Sequence, residues 1–184
     1  GGFGDGGAVV TDDDEVFHRL RLLRDHGQNR ETGNIEFYGY NSRLDNLQAA
    51  LLSVKLRYLP FWIERRREIA MRYNRGLSTI IGVVTPPPPT TSSYYFDVFT
   101  NYVIRAERRN ELADYLKANR IEALVSWPVP LHHQSALMLE CFNLPETDHI
   151  CGEVISLPII PELSDSQIDF VIDVICRFYN NSQL

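Results

Sequence analysis

The sequence predicts an α/β protein laid out as two structural units, and three observations carry that expectation. Apolar residues recur at helical spacing from about residue 44 to residue 79, interrupted once at Pro60. Four consecutive prolines, Pro86, Pro87, Pro88 and Pro89, then impose an extended polyproline segment. Beyond them a β-rich stretch, a helical stretch and a second β-rich stretch follow in β-α-β order, the pattern of a small α+β unit with helices on one face of a sheet. The stiff prolines are the expected boundary, with residues 1–85 in one unit and residues 86–184 in the other.

In chain order, Gly1, Gly2, Gly4, Gly6 and Gly7 open on a backbone suited to close approach, and Ala8-Val9-Val10-Thr11 reads as a strand. The glycines precede that strand instead of following it, so they do not make a nucleotide-binding loop. Thr11, Asp12, Asp13, Asp14 and Glu15 cap the next helix and set negative charge at its positive end, which accounts for the acidic cluster without a metal. Val16, Phe17, Leu20 and Leu23 mark the face of that helix, and Gly27 stops it. His26, just before the stop, gains from the helix dipole. Residues 28–40 form a polar loop, longer than a simple connector, with Tyr38 and Tyr40 near its end.

Residues 39–50 are the most informative stretch. Gly39 is expected to take a backbone angle closed to most side chains. Asn41, Ser42 and Arg43 then stand at the mouth of a helix over about residues 44–57, and Leu44, Leu47, Leu51 and Leu52 are expected to enter the core. Unpaired helix N–H groups, an asparagine amide and an arginine fork together suit a phosphate or carboxylate. The same residues also make an ordinary N-cap with a surface arginine, and local chemistry leaves both readings open. A second helix over 60–79 starts on Pro60, with Trp62, Ile63, Ile69, Ala70 and Tyr73 inward and residues 64–68 as a solvated, ion-paired face.

Past the prolines, residues 98–104 read as a strand, 107–119 as a helix with Leu112, Tyr115 and Leu116 inward, and 121–125 as a second strand. Pro128 and Pro130 stiffen the next segment and present Trp127 and His132. An aromatic face beside an imidazole suits a sugar ring, and equally a core tryptophan beside a capping histidine. Residues 134–152 read as irregular or short-helical and 154–159 as a terminal strand. Ser164 caps a last helix through Ile168, Val171, Ile172, Ile175 and Phe178.

Composition excludes several function classes. The net charge is −6 with no basic block, which argues against a nucleic-acid partner. No apolar run is long enough to span a membrane, and the first residues lack the features of a secretory signal, so a cytoplasmic protein is expected. Three cysteines, Cys141, Cys151 and Cys176, are an odd number without regular spacing and do not predict a disulfide framework. His132, His133, Cys141, His149 and Cys151 show no Cys-x-x-Cys or His-x-x-x-His pair, so no metal site is expected.

Five segments in register resemble the DegT/DnrJ/EryC1/StrS family of pyridoxal-phosphate-dependent sugar aminotransferases. They are Gly4-Asp5-Gly6-Gly7-Ala8-Val9-Val10-Thr11, Leu20-Arg21-Leu22-Leu23-Arg24-Asp25-His26-Gly27, the 39–50 stretch, Arg66-Arg67-Glu68-Ile69-Ala70 with Tyr73, and Pro128-Val129-Pro130-Leu131-His132. The resemblance runs from Gly1 to about Phe178. It implies the fold type I (aspartate aminotransferase-like) architecture, with residues 1–85 as the end of the cofactor-binding domain and 86–184 as the small C-terminal domain. The implied activity is amino transfer, from glutamate by analogy, to a nucleotide-linked keto-sugar, with pyridoxal 5'-phosphate as cofactor and a homodimer sharing its sites.

The resemblance also implies residue roles. In the family, the loop matching 28–40 crosses the dimer interface, and the asparagine matching Asn41 contacts the cofactor phosphate of the neighbouring subunit. Arg43 is implied to neutralise phosphate or substrate diphosphate, and Trp127 and His132 to line the sugar pocket. The family's usual His-Tyr-Pro is Ser126-Trp127-Pro128 here, which removes a histidine contact at Ser126. A Lys-Asn-Leu tripeptide bearing the Schiff-base lysine would stand immediately before Gly1, so the chain is expected to be a C-terminal half with no catalytic residue of its own. Its two lysines, Lys55 inside a helix and Lys117 near a helix end, do not replace it. The alternative is an inert dimerisation or lid module; a third is a member that binds sugar or cofactor for regulation, against which the retained Asn41 and His132 speak.

Overall fold

The computed structural model describes residues 1–90, 94–139 and 141–180. The chain divides into two compact units, Gly1–Leu59 and Pro60–Leu184. The division falls where the second long helix begins, whereas the sequence pointed to the prolines at 86–89. That helix buries its inner face in the same core as the sheet, so it belongs with the second unit.

In the first unit, α1 (Asp14–Leu23) is capped by Asp13, whose carboxylate accepts from the N–H of Glu15 at 2.9 Å and of Val16 at 3.0 Å. Gly27 follows as the expected stop, at φ +72°. The second helix, α2 (Asn46–Leu56), starts later than expected, leaving Ser42–Asp45 as an irregular lead-in. Two further expectations do not hold. Residues 8–11 form no strand: Val9 is 71% and Val10 94% exposed, and no strand stands beside them among the described residues. An isolated β-former run has nowhere to place its backbone hydrogen bonds. The glycine-rich start lies along α2 instead, where the Gln48 side chain accepts from the Phe3 N–H at 2.9 Å and the Lys55 ammonium donates to the Gly1 carbonyl at 2.5 Å. Nor do the α2 leucines enter a core: no residue of α2 is buried, and Leu47 is 74% exposed. Helical spacing marks an apolar face but does not say what covers it.

The second unit joins helices to a three-stranded antiparallel sheet in the order β1-β2-β3. Helix α3 (Leu59–Leu77) carries Pro60 in its first turn, as expected. It leads to β1 (Val83–Val84), which pairs with β2 (Tyr102–Ala106), so the sheet begins before the prolines. Helix α4 (Arg109–Ala118) follows, then α5 (Pro145–Glu153), β3 (Val154–Leu157) and α6 (Asp165–Asn180). The expected strand at 121–125 is reduced to one bridge, Leu124 to Ser156. Ser164 caps α6 reciprocally: its hydroxyl accepts from the Gln167 N–H at 3.3 Å and the Gln167 side chain accepts from the Ser164 N–H at 2.9 Å.

Alternation along the strands turns Tyr102, Ile104, Ala106, Ile155 and Leu157 inward. They meet Ile69, Ala70, Tyr73 and Leu77 of α3, Leu112 and Leu116 of α4, and Ile168, Val174 and Ile175 of α6 in one core. Its polar atoms are paired. The Tyr73 hydroxyl donates to the Pro158 carbonyl at 2.9 Å, and the Asn74 amide donates to the Pro86 carbonyl at 3.0 Å. Burial holds both the Tyr73 and Tyr102 hydroxyls well above the usual phenol range, so both stay protonated; Tyr73 donates, while Tyr102 accepts from the Asn74 amide at 3.2 Å. The 64–68 charge run is only partly the solvated face expected: Arg65 pairs with Glu68 and Asp165, but Arg67 is buried.

Candidate functional site

In the first unit, the site-bearing segment is the loop between α1 and α2, and its two ends are closed onto each other. The Tyr40 N–H donates to the Leu23 carbonyl at 2.7 Å, the His26 N–H to Tyr40 at 2.9 Å and the Ser42 N–H to Arg24 at 2.9 Å. Asp25 and Asn41 sit opposite each other as an antiparallel bridge. Gly39 is needed for this closure, though not for the reason read from sequence. Its φ is not positive; a Cβ there would stand 2.1 Å from the Gly27 nitrogen and 2.9 Å from the Leu23 oxygen. Close approach, not a left-handed angle, demands glycine at 39.

Asp25 is the keystone that sequence reasoning missed. It is 9% exposed, and the Arg30 guanidinium reaches its Oδ2 through Nε at 2.9 Å and Nη2 at 2.5 Å. Arg43 Nη1 lies 3.5 Å from the other oxygen, with the arginine side chain 47% exposed. The hydrogen bonds from Arg30 hold the Asp25 carboxyl below its ordinary value of 3.8, against the opposing effect of burial, with the charges of Arg30, Arg43 and His26 adding to the lowering. The only sequence signal was an acid set between Arg24 and His26 just ahead of a helix-stopping glycine. A depressed folded-state pKa stabilises above the unfolded value and is lost as pH falls through the folded one. Loop closure is therefore expected to hold at neutral pH and weaken below about pH 3.8. Amide exchange at Tyr40 and Ser42 followed against pH checks this, and Asp25→Asn should remove the dependence.

Asn41 is fixed through its backbone while its side chain is exposed and makes no side-chain hydrogen bond among the described residues. Its amide and the Arg43 guanidinium offer neutral and charged donors from one short segment, a donor set that fits phosphate oxygens.

In the second unit, Trp127 is 64% exposed and follows the Leu124 bridge, so its ring is presented outward. His132 lies in a 3-10 turn, Leu131–His133, and is turned inward at 4% exposure, with Nε2 3.1 Å from Asp148 Oδ1. His133 Nε2 lies 3.5 Å from the same oxygen.

The family model for the DegT/DnrJ/EryC1/StrS aminotransferase family matches residues 2–176. The chain belongs to that family. It is 40% identical to the pleiotropic regulatory protein of Geobacillus stearothermophilus, over 98% of this chain and 49% of that protein. It is also 40% identical to the dTDP-3-amino-3,4,6-trideoxy-alpha-D-glucose transaminase of Streptomyces venezuelae, over 95% of this chain and 46% of that enzyme. The crystal structure of S. venezuelae DesV in complex with a ketimine intermediate superposes with a TM-score of 0.88 at 39% identity, over 97% of this chain and 48% of that one. The DegT/DnrJ/EryC1/StrS resemblance and the fold type I α/β class are thereby borne out. The chain spans about half the length of the curated relatives it matches. Among the described residues, no helix is long and apolar enough to cross a membrane.

Proposed function

We propose that this chain supplies the C-terminal half of a pyridoxal-phosphate-dependent aminotransferase that moves an amino group, from glutamate, to a nucleotide-linked keto-sugar. The observation that carries the reading is Asn41, locked by its backbone opposite Asp25 with its amide open beside an anchored Arg43, in a family member of this type. Asn41 donates to the cofactor phosphate of a neighbouring subunit, and Arg43 neutralises phosphate or substrate diphosphate. When bound, pyridoxal phosphate supplies the electron sink for amino transfer. The outward Trp127 face packs on the sugar ring; His132, covered here, shapes the turn that follows it.

A site shared across a homodimer accounts for two features of the first unit. Asn41 and Arg43 are exposed, and Tyr38, Tyr40, Leu44 and Leu47 leave apolar surface for a second copy to cover. Three free cysteines fit a reducing, cytoplasmic setting.

The test is cofactor binding by the enzyme containing this chain. A hydrogen bond to a charged group contributes about 1.5–3 kcal/mol, so Asn41→Ala is expected to weaken pyridoxal phosphate binding roughly 10- to 100-fold. Asn41→Asp should weaken it further by repelling the phosphate. Unchanged affinity in both variants would remove Asn41 from the cofactor site. The coupled transfer assay, with glutamate and nucleotide-linked keto-sugars offered in turn, decides the substrate class.

A further inference from the structure

We propose that His132, His133 and Asp148 form a zinc-class divalent metal site pinning the 131–133 turn to α5. The proposal stands apart from the amino-transfer reading and uses none of its residues except His132.

The decisive feature is a contradiction in the metal-free geometry. His132 Nε2 and Asp148 Oδ1 are 3.1 Å apart, a hydrogen-bond length, yet both atoms are buried and neither has a hydrogen-bond partner. The ring N–H direction and the carboxylate oxygen are not aligned on each other. A buried imidazole at 4% exposure with an unsatisfied nitrogen is costly, and proteins rarely leave one. Two donors that lie close without pointing at each other are what two ligands of one ion look like, because each lone pair aims at the ion and not at its neighbour.

The third donor completes the set. His133 Nε2 is 3.5 Å from the same Asp148 oxygen, and the three ligand atoms all lie within 4.8 Å of one another. With zinc–ligand bonds of 2.0–2.2 Å, the edges of a tetrahedron measure about 3.3–3.6 Å, so the 3.5 Å separation already matches, the 3.1 Å one must open slightly, and the third lies within 4.8 Å. Two imidazoles and one carboxylate are borderline donors that suit zinc and its transition-metal neighbours, and do not suit magnesium or calcium. The exposed side of the cluster, where His133 is half exposed, leaves the fourth position to water. The spacing rules applied to the sequence missed it because His132 and His133 are adjacent and Asp148 comes from a separate helix. A bound ion also fixes His132 inward, leaving Trp127 as the outward group of this segment.

The test uses untagged, chelator-stripped, cofactor-free protein. Titration with cobalt is expected to saturate at one equivalent with the intense visible bands of four-coordinate cobalt, which zinc then abolishes by displacement. His133→Ala and Asp148→Asn should each weaken zinc binding at least tenfold, measured by competition with a chelating dye, while leaving metal-free melting unchanged, since both side chains are partly exposed. Binding only at millimolar zinc, or stoichiometric binding retained in both variants and lost on substituting Cys141, Cys151 or His149, would overturn the proposal.

Discussion

Gly39→Ala is expected to open the loop between α1 and α2 and to displace Asn41. A methyl at residue 39 would stand 2.1 Å from the Gly27 nitrogen, 2.5 Å from the His26 carbonyl carbon and 2.9 Å from the Leu23 oxygen. All three are backbone atoms, so no side chain can rotate away; the two strands of the loop must separate. That separation breaks the pairings of Tyr40 with Leu23, His26 with Tyr40 and Ser42 with Arg24. At about 1 kcal/mol each, their loss speeds amide exchange at residues 26, 40 and 42 by roughly 100-fold. Asn41 moves with them, and on the role proposed for it a displacement of about 1 Å costs roughly 100-fold, read as cofactor affinity in the enzyme containing this chain. Gly33→Ala is the control. Gly33 has φ +77° but nothing within 4 Å of a Cβ, so only local strain of about 1–2 kcal/mol applies and the Asn41 bridge survives. Unchanged exchange at 40 and 42 in Gly39→Ala would show that the loop is not held by close approach.

How legible this was in the sequence differs between the two units. In the second unit, Ile69, Ala70 and Tyr73 of α3, Leu112 and Leu116 of α4, and Ile168, Val171, Ile175 and Phe178 of α6 were read correctly because their partners lie in the same core, whereas Trp62 and Ile63, also read as inward, are only half-buried and lie outside it. In the first, the period of Leu44, Leu47 and Leu51 was real but its destination was not encoded locally, and Val9 and Val10 announced a strand that has no neighbour among the described residues. Periodicity reports a face, and only tertiary context supplies its cover. Around the candidate site, Asn41 and Arg43 were singled out by local chemistry, and the roles proposed for them come from the family resemblance. Asp25 and the His132–Asp148 contact were not singled out, because both depend on residues that only the fold brings together. The glycine at 39 was flagged for the wrong property: sequence marks a glycine but cannot separate a required angle from a required absence of side chain.

Arg67 carries the same lesson into energetics, and Arg67→Ala is expected to destabilise the second unit by about 2–3 kcal/mol. By sequence it sits in a run of charges between Glu64 and Glu68, where a solvated helix face is the natural reading. In the structure it is 8% exposed, and its guanidinium donates to the Asp97 carbonyl at 2.7 Å and to the Thr90 carbonyl. Its plane also stands 4.2 Å from the Phe96 ring centre. One side chain on α3 thus ties together Thr90, Phe96 and Asp97, with no counter-charge among the described residues, so that hydrogen bonds and cation–π attraction oppose desolvation. Truncation leaves two carbonyls without their donor and strips the ring of its cation. For a chain of this size the loss corresponds to a fall of about 5–10 °C in melting temperature. Arg67→Lys should recover only part of it, because a single ammonium cannot span both carbonyls and stack on the ring. Arg72, in the exposed network with Asp165 and Asp169, gives the comparison: Arg72→Ala is expected to cost about 1 kcal/mol or less. If the two alanine variants melt together, the buried fork contributes no more than a surface ion pair.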